Sequence, residues 1–370
     1  MGSTTKLGGG VSKFYLKYGT IVTPLGVGNQ EHIDALIANK SGVQKVENSG
    51  FNKENWFLGK IISLKGNRYN SLLTLACEDL KKNVGLDVLV SPKTLVIVSS
   101  TKANIEALPL DTFQSTRDIL KDTLGLVNKP IIISNACISG VLAINTAADY
   151  LTTERYDDVI IIGIDSLSDF VVFGFQSLFA MSEERCKPFD VNRQGVSLGE
   201  ACGIVILSTK KDASFSVAFL GGASSNDANH ISGPSRTGEG LVHAVSKTLD
   251  RAAINIEQID FISAHGTGTV YNDEMESIAF NRLGLQAVPM NSLKAYFGHT
   301  LGAAGIIEVI ISMISMEHNL LFQSLGYSSQ GTTEKVNIIS KNQQAEVNII
   351  LKTASGFGGG NAALILKKTE

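Results

Sequence analysis

Apolar residues along this chain alternate between two rhythms. Short apolar runs predict strands at Phe14 to Val22, Thr94 to Ser100, Ile131 to Ile133, Asp158 to Asp165, Gly203 to Ser208, Ser216 to Leu220, Phe261 to Ala264, Val288 to Leu293, Val347 to Ala354 and Ala362 to Lys367. The most continuous, Asp158 to Asp165, is of the kind found in a sheet covered on both faces. Between them, apolar residues at helical spacing predict helices. Asn29 is expected to cap one through Ile33, Leu36 and Ile37. Tyr69 to Val84 is expected to stop at Gly85. Others are Thr112 to Leu126, Cys137 to about Glu154, Gly240 to Ala253, Asp273 to Leu283 and Thr300 to His318. Leu58 to Leu64 reads as a short strand or edge segment, and Phe173 to Met181 as a glycine-containing connection. This alternation gives layered sheets and helices.

The rhythm occurs twice. Glu200-Ala-Cys-Gly-Ile-Val-Ile-Leu-Ser resembles Gly360-Asn-Ala-Ala-Leu-Ile-Leu-Lys, and each closes its half of the chain. The strand, turn and helix around Cys137 are matched by a strand, His299 and a helix. Lys210-Lys211-Asp212 reads as a surface connection. We therefore expect residues 1–12 to be a flexible arm or added remnant. Residues 13–210 and 211–370 form two similar α/β halves.

Composition narrows the function classes. The 370 residues are 44% hydrophobic with 36 glycines, enough for a sizeable core. The net charge of −3 argues against a nucleic-acid partner. Cys77, Cys137, Cys186 and Cys202 form no secreted-type disulfide framework, which fits a reducing cytoplasm. No apolar run is expected to span a membrane, since the longest, Ala303 to Met316, is interrupted by Glu308.

Candidate chemistry begins at Ile131-Ile-Ile-Ser-Asn-Ala-Cys-Ile-Ser-Gly140. Cys137 sits at a strand-to-helix turn, where the helix dipole is expected to lower its pKa. On position alone, a small buried hydrophobe is the competing assignment. His265, in Ala264-His-Gly-Thr-Gly-Thr269, follows a strand and is flanked by glycine, so a substrate can approach its ring. Many loop histidines do nothing, and both assignments stand. His299 lies in Lys294-Ala-Tyr-Phe-Gly-His-Thr-Leu-Gly-Ala-Ala-Gly305. Glu308 is a carboxylate in an apolar stretch and needs a partner, for which Lys294 is the candidate. Gly356-Phe-Gly-Gly-Gly360 is not a dinucleotide fingerprint, because Asn361 stands where that motif needs glycine. Its backbone N–H groups suit an oxyanion, and a tight hairpin is compatible with that. No metal-ligand spacing and no G-x-S-x-G elbow appears, so neither a metal nor a cofactor is expected. His32, His230, His243 and His318 have no comparable setting, although His230 in Asp227-Ala-Asn-His230 is worth following.

As a set, these motifs resemble the elongating β-ketoacyl–acyl carrier protein synthases of the thiolase superfamily. The resemblance rests on Ala136-Cys137-Ile-Ser-Gly140, Lys187-Pro-Phe-Asp190 with Arg193 and Gly195, Ala264-His265-Gly-Thr, Asp273 with Glu276, Lys294 with Gly298-His299, and Ser355-Gly-Phe-Gly-Gly359 with Asn361. It covers nearly the whole chain from Phe14. It implies a thiolase fold of two similar halves in five layers, αβαβα, usually dimeric. It implies that Cys137 takes an acyl chain from an acyl carrier protein, and that His265 and His299 promote decarboxylation of a malonyl group on the carrier's phosphopantetheine. The N–H groups of Cys137 and Phe357 would hold the oxyanion, and Phe357 would gate the acyl pocket. Lys294 would be a catalytic residue that orders the histidine region, and Glu308, Asp273 and Glu276 would support it. The partner subunit would be a second copy or a ketosynthase-like chain.

Thiolases carry a second reactive Cys where this chain has Ser355, and initiating synthases carry Asn in place of His299. A silent chain-length subunit would lack the nucleophile, yet remains the alternative function. Three departures bear on which chain is accepted: Asn135, where Thr is most usual, Ile138 after the nucleophile, and an abbreviated Ser100 to Lys129. Lys60, Lys65 and Arg68 are expected to form a solvated basic face, with an acidic carrier protein as the other occupant.

Overall fold

The computed structural model describes residues 14–212, 215–227 and 235–369. The proposed arm at 1–12 and His230 lie outside them. Ten strands carry the fold: β1 (Phe14–Thr23), β2 (Thr94–Ser99), β3 (Ile131–Ile133), β4 (Asp158–Asp165), β5 (Ala201–Ser208), β6 (Val217–Asn226), β7 (Phe261–Ser263), β8 (Met290–Asn291), β9 (Ile349–Ser355) and β10 (Gly360–Lys368). Their spatial order is β8-β7-β9-β10-β6-β1-β5-β4-β2-β3, with the short strand Gly26–Val27 paired to β1. Outward from the centre, one side reads β1, β5, β4, β2, β3 and the other β6, β10, β9, β7, β8. Each strand is thus matched by the one five places later. The pairing pattern repeats too: two antiparallel pairs, then two parallel ones. The two sets join where Phe14 to Leu16 pairs with Val217 to Phe219, so among the described residues they form one continuous sheet.

Among the described residues, eight helices of at least nine residues accompany the sheet: α1 (Asn29–Ile37), α2 (Arg68–Asn83), α3 (Gln114–Leu124), α4 (Ser139–Leu151), α5 (Asp169–Ser177), α6 (Glu239–Ala252), α7 (Val270–Arg282) and α8 (Ala304–His318). Strand alternation sorts them into layers. Leu95, Ile97, Val159 and Ile161 face α4 and α8, as do Ala362, Leu364 and Leu366 from the other half. The intervening Val96, Val98, Ile160 and Ile162 face α2 and α3. Ala363 and Ile365 face α6 and α7. The order is helix, sheet, helix, sheet, helix: the αβαβα arrangement of the thiolase fold. The two central helices touch backbone to backbone. A Cβ on Gly140 would lie 2.9 Å from the Ile306 nitrogen, and one on Gly305 would lie 2.7 Å from the Val141 nitrogen. Only glycine permits that approach.

Several expectations change. Leu301–His318 is, by length and composition, long and apolar enough to cross a membrane, contrary to the sequence expectation. In the fold, 89% of that run is buried as the central helix. Asn29 is the first residue of α1 instead of its cap, and its side chain donates to the Gly19 carbonyl. Gly85 does not stop α2, because its φ of −62° is ordinary and it opens a one-turn helix at Leu86–Leu89. The isoleucines of β3 are only half-buried, since β3 ends the sheet. The expected connection at Phe173 to Met181 is largely α5, whose mid-helix Gly174 masks its apolar spacing.

Candidate active site

Cys137 is set by a strained elbow. Ala136 adopts φ 44°, a left-handed conformation that costs a non-glycine residue about 1 kcal/mol or more. Ser139 closes the turn: its hydroxyl donates to the Ala136 carbonyl at 2.7 Å and accepts the Asn135 N–H at 2.8 Å. The elbow aims the Cys137 sulfur into the interior, 3.0 Å from His299 Nε2.

His299 follows β8 and a one-turn helix, Lys294–Phe297. Its N–H bonds the Ser197 carbonyl at 2.7 Å. His265 follows β7, the strand beside β8. Its ring meets that of His299 edge-on, with centroids 5.2 Å apart. The Cys137 sulfur and one nitrogen from each imidazole lie within 4.8 Å of one another, all buried. Such a donor set could ligate zinc. Here sulfur and imidazole are hydrogen-bonded to each other, and the Lys294 ammonium lies 3.4 Å from His265 Nδ1, a charge that opposes a cation.

Charges are packed behind the histidines. Lys294 donates to the His265 carbonyl and to Glu308 Oε1 at 2.8 Å. Glu276 accepts the N–H of His265 at 2.8 Å and of Gly266 at 2.7 Å. Asp273 accepts the N–H of Thr267 and Gly268, and that of Phe189 at 2.7 Å. Phe189 belongs to the Lys187-Pro-Phe-Asp190 strap. Asp190 anchors that strap to the N–H groups of Ser328 and Ser329. The carboxylates expected to support the histidines thus hold the backbone of the His265 loop.

Burial sets the protonation states. It pushes the Cys137 thiol up to about 12, against the pull of the Lys294 ammonium and the N–H groups of Phe357 and Cys137. This corrects the expected low pKa: desolvation outweighs the helix terminus. Burial, with the Lys294 ammonium next, holds both His265 and His299 well below the ordinary histidine range. Thiol and imidazoles are therefore neutral together. Glu276 is raised to about 7, first by burial and then by Asp273.

The glycine loop packs directly on the elbow. A Cβ on Gly356 would lie 3.0 Å from the Cys137 nitrogen. Half-buried Phe357 stacks on Phe175 of α5, with centroids 5.3 Å apart. Ile138 fills the space under Gly360, while Asn135 is exposed.

The fold therefore brings together Cys137, His265, His299, Lys294, Glu308 and Phe357, with Asp273 and Glu276 one layer back. Arg68 departs from the expected solvated face, because its guanidinium pairs with the buried Glu200. Two groups were not singled out by the sequence. Lys352 in β9 lies fully buried, 2.6 Å from Glu308 Oε2. Asp165 at the end of β4 accepts from Lys102 at 2.9 Å and from the Gly302 N–H just past His299 at 2.7 Å. A lysine inside the apolar run Val347 to Ala354 was the available signal for the first.

Comparisons with known proteins agree with this geometry. The chain is 25% identical to, and superposes with a TM-score of 0.88 on, a chain of the ketosynthase and chain length factor complex from Xenorhabdus doucetiae, covering 100% of both. It is 32% identical over 253 residues to a 3-oxoacyl-[acyl-carrier-protein] synthase 2 of Rhizobium meliloti, covering 64% of this chain and 60% of that one. It is 31% identical over 268 residues to a polyketide biosynthesis malonyl-ACP decarboxylase of Bacillus subtilis, covering 68% and 64%. The chain spans about 60% of the length of the curated relatives it matches. Two family models match in tandem: "Beta-ketoacyl synthase, N-terminal domain" at residues 120–213 and "Beta-ketoacyl synthase, C-terminal domain" at residues 217–328. Those spans hold Cys137, His265, Lys294, His299 and Glu308, and the chain belongs to the beta-ketoacyl synthase family.

Proposed function

We propose that this chain is a decarboxylating condensing enzyme, with Cys137 as its nucleophile. The observation that carries this is the buried contact of the Cys137 sulfur with His299 Nε2 at 3.0 Å. The thiol gives its proton to that nitrogen as the sulfur attacks the thioester of an acyl carrier protein. The carrier's phosphopantetheine thiol leaves with the proton, and the acyl group stays on Cys137.

A malonyl thioester then binds. Its carbon–carboxylate bond breaks, carbon dioxide leaves, and the electron pair becomes an enolate. His265 donates its N–H to the enolate oxygen, and His299 donates from Nε2, its ring proton having exchanged from Nδ1 after loading, with Lys294 behind them adding positive charge. The enolate carbon attacks the acyl thioester, and the N–H groups of Cys137 and Phe357 take the tetrahedral oxyanion. That attack forms the carbon–carbon bond; collapse then restores the carbonyl, breaks the carbon–sulfur bond and expels Cys137 as a thiolate, which takes up one proton from solvent.

Residues 13–210 and 211–370 serve as two halves, one bringing the nucleophile and the other the histidines. The half-exposed edge of β3, beside exposed Ser134 and Asn135, supports a dimer with a second copy or a ketosynthase-like partner. Four unbridged cysteines support a reducing compartment such as the cytoplasm.

The likeness to a chain of a ketosynthase and chain length factor complex favours a second reading, a silent specificity subunit. Substituting Cys137→Ala in the assembled complex separates the two. Loss of product supports the condensing enzyme, and undiminished product supports the silent subunit.

A further inference from the structure

Lys352 occupies a position where strand parity calls for an apolar side chain. On β9, Ile350 and Ala354 face the central helix layer, and Lys352 lies between them on the same face. Its side chain is fully buried. A buried ammonium costs several kcal/mol unless it is paired and hydrogen-bonded, so its partners define its use. Lys352 Nζ donates to the carbonyls of Ser263 at 3.1 Å and Ala264 at 3.3 Å, and meets Glu308 Oε2 at 2.6 Å. Lys294 donates to the next carbonyl, that of His265, and holds the other oxygen of Glu308. Three consecutive carbonyls at the end of β7 are thus gripped by two ammonium groups that share one carboxylate. Lys352 lies beyond the residues the family models match.

We propose that Lys352 is a positioning residue of this site: with Lys294 it divides Glu308, clamps the strand end that carries His265, and places a second positive charge behind the paired imidazoles. The role rests on the condensing function proposed above. The charged groups around it are Lys294 on the one-turn helix, Glu308 on α8 and Glu276 on α7. His265 and His299 lie in front. Two cations against Glu308 leave positive charge to spare whenever Glu276 is protonated. That excess favours the anion formed as the malonyl group loses carbon dioxide. Acyl loading, which creates its oxyanion at the Cys137 and Phe357 N–H groups, depends on it less.

The test uses Lys352→Met and Lys352→Gln in the full chain, with its partner subunit if one copurifies. Acyl transfer to Cys137 is followed by intact mass, and carbon dioxide release from malonyl carrier protein is followed across pH. We expect loading within about threefold of wild type and release slowed by about 10- to 100-fold, the scale of a displaced positioning group. The acid limb of release should move to higher pH, because removing a nearby cation makes His265 and His299 easier to protonate. Unchanged release with an unchanged acid limb overturns the proposal.

A titration of ¹⁵N-labelled histidine in wild type and Lys352→Gln needs no turnover. Upward-shifted imidazole midpoints support the proposal, and coincident midpoints contradict it. If the wild-type protein loads no acyl group, the condensing function fails, while the titration still decides the role of Lys352.

Discussion

Cys137 and His299 sit in units that occupy equivalent places in the sheet and are built differently. β3 and its turn lead to Cys137 and α4; β8 and its loop lead to His299 and α8. Along the first unit, Ile131 to Ile133 are half-buried, and Ser134 and Asn135 are exposed. Along the second, every residue from Met290 to Met316 is buried, including Lys294 and Glu308. One unit therefore lies half-exposed at the end of the sheet, with a single strained residue, Ala136, setting its aim. The other is a fixed anchor whose position is over-determined by charge and packing. A covalent catalyst needs both: a sulfur that substrates can reach, and a proton acceptor that does not move when they arrive.

The contrast separates activity from stability. Cys137→Ala should lower condensation by about 10⁴-fold or more, as loss of a nucleophile does. It should change unfolding by less than about 1 kcal/mol, because it deletes one small buried atom. Urea denaturation beside a condensation assay checks the pair, and a large stability loss would break the comparison at its reactive end. Glu308→Ala should do the reverse at the anchor. It strands two buried ammonium groups, and the expected cost is about 3–5 kcal/mol, read as a lower urea midpoint.

The two units also differ in how pH acts on them. His299 is held well below the ordinary histidine range, so loading should stay level through neutral pH and fall only under acid conditions. An acid limb centred at the ordinary histidine value near 6.5 would contradict the neutral thiol–imidazole pair. Glu276 makes an opposite contribution to stability. Its carboxyl is raised from 4.5 to about 7, so the folded protein holds a proton that the unfolded chain has released. The stability this provides is complete below about pH 4.5 and disappears as pH rises through about 7. Comparing denaturation of wild type and Glu276→Gln at pH 5 and pH 8 should show the dependence shrinking in the variant.

The smallest expected effect lies at the exposed end. Asn135→Thr should leave loading within about threefold, while changing which acyl lengths are preferred in a competition of carrier-bound chains. Identical preferences would separate Asn135 from chain selection.

The succession of strands along the chain was legible from its apolar runs, and the Cys137 elbow, His265, His299 and the Lys294–Glu308 pair were legible because each breaks an apolar pattern near glycine. Lys352 was not, because an isolated lysine within a strand ordinarily reads as a solvent-facing position. Only its parity with Ile350 and Ala354 betrays it. The state of the Cys137 thiol was misjudged for a related reason: the helix terminus is visible in sequence, but the depth of burial that outweighs it depends on the assembled layers. α5 was missed because Gly174 interrupts its pattern, and with it the stacking of Phe357 on Phe175.

The proposed chemistry requires that the Cys137 sulfur becomes acylated. Intact-mass measurement after incubation with an acyl carrier protein thioester, followed by peptide mapping, tests it directly. The expected result is a gain of one acyl group, located on Cys137 and absent from Cys137→Ala. An unmodified protein, under conditions where a control condensing enzyme loads, would contradict it.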